Sequence, residues 1–538
     1  MKNIKYIALI IVAGLTFSSC TDDFDKINTD KKNLLTSEIA TTDVALIAKG
    51  SFYGATYVGA PSNPGRNAGP FQLVHSLFPD VYSNYFATTA ANFGSDQFEL
   101  VGRWLNGGYN YNYYNVAPEL KFALDYSAEN NLEIENAMMK VWKVYFYHRL
   151  TDLWGPIPYS QFGKQESGPI AFDSQQEIYN DFFKLLDEAV AVFKSNSGSA
   201  SFFGVTSADV IYSGSTDKWL KMANSLRLRL AIRVKYADAT LSKTEAEKAV
   251  SDGVLESNSD NAAIHSDGPN FINPYNVITG WGEFRMSADM ESILKGYEDP
   301  RAAQYFSEAA TPDATDDPAG VTFNFEGMRN GQSKSQKQGT AFNSMASDMA
   351  APYTERGAVG PDMPIIKTAE VYFLRAEGAL EGWAMGGTAQ ELYESGITAS
   401  HLEYGLDGND LSGNDYVSST NVPAALDGST PAVSTVPVAF DGAGTMERQL
   451  EQIITQKWIA LYPNSEDAYA DRRRTGYPTL YNRLNTLNTN IAVNEIPRRM
   501  PWVSSEYDNN GEAVQSALAL PEMSGGDNGT TKVWWDKK

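Results

Sequence analysis

The chain has 538 residues, and its 66 aspartates and glutamates outnumber its 43 lysines and arginines, which gives a formal net charge of −23. Hydrophobic residues make up 42% of the chain, and there is one cysteine. The apolar fraction excludes a disordered chain, and the negative charge argues against nucleic acid or anionic lipid headgroups as partners of the folded part. A single cysteine excludes a disulfide framework and a cysteine-based zinc cluster.

The first 19 residues are typical of an export signal. Two lysines open the chain, and Ile7–Phe17 form an apolar stretch of 11 residues, too short to span a bilayer as a helix. Small residues then precede Cys20, as in a bacterial lipobox, with Phe17 where leucine is usual. We predict that residues 1–19 are removed and that Cys20 is lipidated, which leaves a net charge of 41 − 66 = −25. The alternative is an ordinary signal peptide followed by a free or buried cysteine.

Apolar residues at spacings of three and four predict a series of amphipathic helices. One of them follows a capping box, Ser174 to Glu177, and its apolar stripe extends to Phe193. Another is expected to open at Thr244 and to end near Gly253. The remaining predicted helices cover residues 133–150, 217–236, 366–385 and 446–462.

Two long segments are predicted to be loops. Residues 307–362 and 405–445 are rich in Gly, Ser, Asp and Pro, and both lie between strong helices. Strand-like alternation is scarce. The sequence therefore predicts a mostly α body with long irregular insertions. Its helix pairs suggest stacked hairpins of tetratricopeptide type, although no 34-residue repeat is visible.

The motifs of common catalytic sites are absent from the sequence. Four histidines occur, none with metal-ligand spacing, and there is no G-x-S-x-G elbow and no P-loop. We predict no cofactor. Calcium is the one ion left open, because Asp407, Asn409, Asp410, Asn414 and Asp415 offer oxygen ligands, although they miss the EF-hand spacing.

Aromatic side chains suggest a binding surface. Eight aromatics lie between Phe98 and Tyr126, with asparagines among the first of them. Tyrosine and tryptophan offer a flat apolar face with a polar edge, and asparagine offers a donor and an acceptor, a pairing that suits sugar recognition. The candidates from this run are Trp104, Asn106 and Tyr109. The alternative is that these aromatics pack a helical core.

A second aromatic candidate lies in a loop rich in Pro and Gly. The segment contains Tyr275 and Trp281, the latter between Gly280 and Gly282. Helix packing explains a loop tryptophan less easily than one on an amphipathic helix, and binding residues are common on loops. Tyr275 and Trp281 therefore join the candidate ligand-binding residues.

Taken together, the motifs of the chain resemble the SusD/RagB family of Bacteroidetes outer-membrane nutrient-binding lipoproteins. Leu150–Tyr159 reads LTDLWGPIPY, with Pro156 where that family usually has an acidic residue. Further matching stretches are Lys218–Ala231, Val371–Glu377, Ile454–Tyr462, Arg472–Pro478 and Arg498–Trp502.

The resemblance implies a SusD-like fold, with residues 20–538 as one helical binding domain that has no catalytic activity. It implies a lid on a SusC-like TonB-dependent transporter that captures oligosaccharides or peptides for import. It also implies roles in packing and buried ion pairs, and not in ligand contact, for five residues of the matching motifs, namely Trp154, Arg229, Arg375, Trp458 and Arg473. Acidic residues directly after Cys20 resemble a surface-export signal, which favours the outer face of the outer membrane.

Three functional hypotheses follow. The first is a lipid-anchored binding protein for an oligosaccharide that works with a transporter, with a peptide as the alternative ligand. The second is an α-rich glycan hydrolase, which needs two carboxylates beside the aromatic cleft. The third is a structural partner that seals the transporter without a ligand of its own.

Overall fold

The computed structural model describes most of the chain. The described residues are 40–59, 67–164, 168–266, 271–338, 345–354, 360–406 and 416–538. The predicted signal peptide, the lipidation site Cys20 and the calcium candidates Asp407, Asn409, Asp410, Asn414 and Asp415 all lie outside these ranges. Lipidation and calcium binding therefore stay predictions.

The described part is dominated by α-helices, which confirms the predicted fold class. The longer helices are α1 (Thr41–Thr56), α2 (Gly102–Tyr111), α3 (Ala117–Glu129), α4 (Glu133–Trp154), α5 (Gln175–Ser195), α6 (Thr216–Arg233), α7 (Ala239–Asp252), α8 (Ala288–Tyr297), α9 (Thr368–Leu380), α10 (Ala389–Glu403), α11 (Met446–Leu461), α12 (Ser465–Thr475) and α13 (Gly511–Leu518).

Short helical turns connect these elements. Four-to-six-residue α-helical turns are Ala68–Phe71, Pro79–Tyr82, Phe202–Val205, Tyr275–Ile278, Ala302–Tyr305, Lys334–Gln338, Ala351–Thr354 and Ser504–Asn509. The 3-10 turns are Gly94–Gln97, Asn258–Asp260, Thr279–Trp281, Ala314–Asp316, Tyr416–Ser418 and Pro521–Met523. Two π-helical turns, Gln72–Ser76 and Asn112–Val116, complete the set. The second joins α2 to α3 in one continuous helical segment.

The helix ends agree with the sequence where a cap was identified correctly. At α5 the Ser174 hydroxyl accepts from the amide of Glu177, and the Glu177 carboxylate accepts from the amide of Ser174, as the capping box predicts. The predicted start of α7 at Thr244 is wrong. The helix begins at Ala239, because the Asp238 side chain caps it by accepting from the amide of Leu241.

Neighbouring helices pack side by side along the chain. Helix α3 packs against α4, α4 against α5, α6 against α7, α9 against α10, and α11 against α12. Further contacts of α5 with α6, and of α9 with both α6 and α11, join these pairs into one layered assembly. The tetratricopeptide-like geometry of the pairs stays a prediction.

Buried ion pairs connect the helices. Arg229 on α6 makes a bidentate contact with Glu370, at 2.7 Å for each hydrogen bond, and also lies 3.1 Å from Asp467. Burial alone would raise the pKa of Asp467, but Arg229 and Arg233 hold it below its usual range. A buried charge that loses its partner costs about 3–5 kcal/mol, so these pairs fix one arrangement of α6, α9 and α12.

The five positions predicted to be scaffold are buried, as expected. Trp154, Arg229, Trp458 and Arg473 are each 1% exposed, and Arg375 is 7% exposed. Arg473 differs in detail from the expectation of an ion pair, because its guanidinium donates to the carbonyl oxygens of Asp152 and Arg498.

The few strands form three two-stranded antiparallel sheets. They are β1 (Phe86–Thr88), β2 (Ile157–Pro158), β3 (Phe172–Asp173), β4 (Ala262–Ile264), β5 (Phe284–Met286) and β6 (Met363–Ile366). Strand β1 pairs with β5, β2 with β3, and β4 with β6. The β1–β5 pairing matters for function, because it brings the segment after Thr88 beside the segment before Phe284.

Candidate functional site

Trp104 is half-buried in the first turn of α2. The helix begins at Gly102, two residues before the tryptophan. The Trp104 indole makes an edge-to-face contact with Phe93, with ring centroids 5.4 Å apart. The Arg103 guanidinium lies 5.4 Å from the indole centroid. One part of the ring is thus fixed by packing, and the rest stays accessible.

Trp281 ends the 3-10 turn Thr279–Trp281 and is 38% exposed. The turn is anchored from below, because the Thr279 hydroxyl lies 2.8 Å from the carbonyl oxygen of Tyr275 and 3.0 Å from that of Tyr353. Gly282 follows with a φ of 67°, a left-handed conformation that glycine adopts without strain. The Trp281 indole is therefore accessible, while the turn that carries it is held by buried hydrogen bonds.

One short segment contacts both tryptophan regions. The Thr89 hydroxyl donates to the carbonyl oxygen of Gly282 at 2.6 Å, and the Thr89 amide donates to that of Glu283 at 2.9 Å. Four residues later, Phe93 packs against Trp104. We call the surface formed by Phe93, Trp104 and Trp281 the two-tryptophan surface.

Polar groups beside Trp281 are partly buried. The Gln72 side-chain amide donates to the Glu283 carboxylate. Burial raises the pKa of Glu283, and the hydrogen bond from Gln72 opposes that rise. Gln72 opens the π-helical turn that packs on α2, so this contact links the helix of Trp104 to the loop of Trp281.

Tyr109 and Tyr275, two of the predicted ligand contacts, are core residues in the structure. Each is 1% exposed. Tyr109 stacks on Tyr113 with centroids 4.5 Å apart, and the Tyr275 hydroxyl donates to Asp80 at 3.0 Å. Burial therefore removes both rings from the side chains that a ligand can touch from solvent.

Asn106 is half-buried, and its carbonyl oxygen has a structural role. It accepts from the amide of Ser505 at 3.0 Å and from the hydroxyl of Ser504 at 3.2 Å, at the start of the helix Ser504–Asn509. Its amide nitrogen makes no hydrogen bond to the described residues and is available as a donor. Asn110 also bonds to this helix, through the Ser505 hydroxyl at 2.8 Å.

Sequence reasoning missed two apolar side chains: Phe93, which packs against Trp104, and Leu487, which lies near the turn after Phe93. Leu487 is 56% exposed, and its amide donates to the carbonyl oxygen of Gln97 at 2.7 Å, which places it beside the turn that follows Phe93. An available signal was the occurrence of leucines in an otherwise Asn-rich segment, residues 480–490, where no helix was expected to bury them.

The described ranges contain no group of three or more His, Cys, Asp or Glu side chains that could hold a metal ion. Within the same ranges, no helix is long and apolar enough to cross a membrane.

A helix-rich scaffold with half-exposed tryptophans on one surface defines a class of protein suited to recognition. The chain belongs to the SusD-like family, described as SusD and RagB outer membrane lipoproteins, whose family model matches residues 26–536. This confirms the resemblance found in the sequence. The family is one of nutrient-binding lipoproteins, and its members are binding proteins, not enzymes.

Solved structures agree with this assignment. A chitin-binding SusD homologue from Flavobacterium johnsoniae is 37% identical, with 91% of this chain and 98% of that chain covered and a TM-score of 0.80. A SusD homologue from Bacteroides vulgatus is 32% identical, with 92% and 97% covered and a TM-score of 0.79. Another chitin-binding protein is 26% identical, with 92% and 100% covered and a TM-score of 0.72. No curated protein matches the chain.

Proposed function

We propose that the protein binds a neutral oligosaccharide on the two-tryptophan surface and takes no catalytic part in its breakdown. The carrying observation is that Trp104 and Trp281 stay partly accessible and that one segment, residues 89–93, contacts Trp104 and the backbone directly after Trp281. Aromatic faces stack on the C–H faces of sugar rings, and Asn106 supplies a donor nearby. Of the five candidate residues from the sequence, Trp104, Asn106 and Trp281 are thus the ligand contacts that we propose.

We propose an oligosaccharide of N-acetylglucosamine as the ligand. Two relatives that span almost the whole chain are chitin-binding, one of them at 37% identity. The acetamido group of such a ligand presents a carbonyl acceptor, which fits the free amide nitrogen of Asn106.

The test is calorimetric titration of the mature protein with the N-acetylglucosamine hexamer, with a glucose hexamer and a mixed peptide pool as comparison ligands. Truncation of an aromatic that anchors a ligand typically costs 2 kcal/mol or more, so Trp104→Ala and Trp281→Ala should each weaken binding about tenfold or more. Trp383→Ala, which removes a half-buried tryptophan from the turn after α9, is the matched control and should bind normally.

Other results would replace the proposal. Binding of peptides without glycan binding would favour the peptide hypothesis, and turnover of a bound glycan would favour the hydrolase. Normal nutrient uptake by cells that carry both tryptophan variants would favour a structural partner without a ligand of its own.

We further propose that Cys20 carries the lipid anchor on the outer face of the outer membrane, and that the protein delivers its ligand to a SusC-like TonB-dependent transporter. The family description supports the anchor, and the absence of a membrane-spanning helix from the described residues is compatible with it. Copurification with such a transporter tests the partnership, and its failure under mild detergent extraction would count against it.

A further inference from the structure

A cavity of about 400 Å³ lies between α3, α4 and α5, beneath the segment 159–164. We call it the lysine cavity and define it by Leu120, Lys143, Tyr147, Phe162 and Leu185. Sites for small organic ligands typically enclose about 300–1,000 Å³ with largely apolar walls, so the lysine cavity has a suitable size.

The lysine cavity lies far from the two-tryptophan surface. Trp104 lies near the start of one continuous helical segment, residues 102–129, and Lys121 lies in its last helix. At a rise of about 1.5 Å per residue, the 17 steps from Trp104 to Lys121 span about 25 Å. A ligand in the lysine cavity would therefore leave the proposed glycan contacts free.

Four acidic side chains line the cavity, and two of them are occupied by the local backbone. Asp173 accepts from the amide of Ser160 at 2.7 Å, from the hydroxyl of Ser160 at 2.6 Å and from the amide of Tyr159 at 3.3 Å. Glu177 completes the capping box with Ser174. The carboxylate oxygens of Asp173 and Glu177 therefore accept hydrogen bonds from residues around the cavity.

The other two acids are also engaged. Asp125 forms an ion pair with Lys121, one turn away on α3. Asp181 accepts from the Tyr159 hydroxyl at 2.6 Å. The cavity thus offers few free acceptors, although acids outnumber lysines in its lining.

Lys143 has spare donor capacity. Its ammonium nitrogen lies 3.7 Å from the Asp181 carboxylate, beyond hydrogen-bonding distance, and 4.1 Å from the centroid of the Tyr159 ring. An ammonium group has three donors, and Lys143 makes no shorter polar contact within the described part of the chain. Burial lowers the pKa of Lys143; Asp181 opposes this and Lys164 adds to it, so a bound anion would counteract the unfavourable environment.

Tyr147 provides a second unused donor. The residue is 4% exposed and lines the cavity, and its hydroxyl forms no hydrogen bond to the described residues. Tyr147 follows Lys143 by four residues on α4, so the two side chains are neighbours on one face of the helix. The hydroxyl is therefore available to donate to an acceptor in the cavity.

We propose that the lysine cavity binds a carboxylate attached to an apolar body. The carboxylate accepts from the Lys143 ammonium and the Tyr147 hydroxyl, and the apolar body packs against Leu120, Leu185 and Phe162. Both a free organic acid and the carboxyl end of a peptide have this chemistry.

The test uses matched acids and amides, because an amide keeps the shape and removes the charge. We would titrate the mature protein with hexanoate and hexanamide, and with N-acetyl-Leu-Leu as the free acid and as the carboxamide. Hydrogen bonds to charged groups are strong enough that each acid should bind about tenfold more tightly than its amide. Binding of both acids points to a free organic acid as the source, and binding of the dipeptide acid alone points to a peptide end.

Variants locate the site. Lys143→Met should weaken binding of the acid about tenfold and Tyr147→Phe about threefold to fivefold, while glycan binding stays unchanged. Lys184→Met is the matched control, since this α5 lysine is 71% exposed and lies outside the cavity, and it should have no effect. Equal affinity of acid and amide, no binding of either acid up to about 10 mM, or an equal loss in Lys184→Met would overturn the proposal.

Discussion

Asp80 is a buried carboxyl group that accepts one hydrogen bond, from a tyrosine hydroxyl. It is 1% exposed, and it accepts from the hydroxyl of Tyr275, the residue that the sequence suggested as a ligand contact. Burial raises the pKa of Asp80 to about 7, and the hydroxyl groups of Ser465 and Tyr275 limit the rise. The pKa of Glu291 is likewise raised to about 7 by burial, against the effect of Lys295.

These raised pKa values predict a loss of stability as the pH rises. An unfolded aspartate titrates near pH 4, so the folded protein retains a proton on Asp80 that the unfolded chain has lost between about pH 4 and 7. The contribution of Asp80 to the free energy of unfolding should therefore fall across that window and level off above it. For Asp80→Asn, which keeps the shape and removes the titration, the fall between pH 5 and 8 should be smaller by up to about 2.6 kcal/mol.

Denaturant unfolding at pH 5, 6.5 and 8 measures this effect. Glu291 retains part of the pH dependence in the variant, so the curve should flatten without becoming level. Asp508→Asn, at an exposed position on the helix Ser504–Asn509, should behave like the parent protein. An Asp80→Asn variant with the same pH dependence as the parent protein contradicts the assignment.

At the scale of elements, the contact between α2 and the π-helical turn Gln72–Ser76 controls the two-tryptophan surface. A Cβ atom at Gly108 would lie 2.3 Å from the Val74 side chain and 3.3 Å from the backbone oxygen of Leu73. Glycine therefore permits the close approach of the two elements. The same π-helical turn carries Gln72, which bonds to Glu283 beside Trp281.

Gly108→Ala should therefore weaken glycan binding by displacing the turn, even though Gly108 itself touches no ligand. We expect a loss of about fivefold to tenfold in affinity and a destabilisation of about 1–3 kcal/mol from overpacking. Calorimetry and denaturant unfolding check the two effects. Gly102→Ala in the same helix, where a Cβ atom would meet nothing within 4 Å, should preserve both affinity and stability. Unchanged binding in Gly108→Ala would show that the turn does not position Trp281.

The sequence predicted the elements better than the site. Helices such as α5 and α11 have a clear apolar stripe and caps, so their bounds could be predicted closely. Trp104 and Trp281 could be selected by residue type, but Tyr109 could not be excluded, because its stacking partner Tyr113 lies on the same helical face. The link through Thr89 and Phe93 depends on the pairing of β1 with β5, which joins segments about 200 residues apart. Local pattern carries no information on such a contact.

At the scale of the whole molecule, the charge constrains the ligand. The mature chain would carry a net charge of −25. An ion pair is neutral overall, so the ion pairs of the protein leave this excess of negative charge in place. A neutral sugar that stacks on Trp104 and Trp281 has no net charge for the protein to attract or repel. An anionic sugar is repelled by the negative charge of the protein. Affinity for the two kinds of ligand should therefore respond differently to salt.

We expect the affinity for the neutral N-acetylglucosamine hexamer to change less than about twofold between 50 and 500 mM NaCl. A 6-O-sulfated form of the same hexamer should bind more weakly at 50 mM NaCl and recover part of its affinity at 500 mM, because salt screens the repulsion over a Debye length of less than about 10 Å. Titrations of both ligands at the two salt concentrations separate stacking from charge. Two results would contradict this expectation: a neutral hexamer that lost affinity about tenfold in high salt, or a sulfated hexamer that bound best in low salt. Local cations such as Arg103 would then have to outweigh the net charge in recognition.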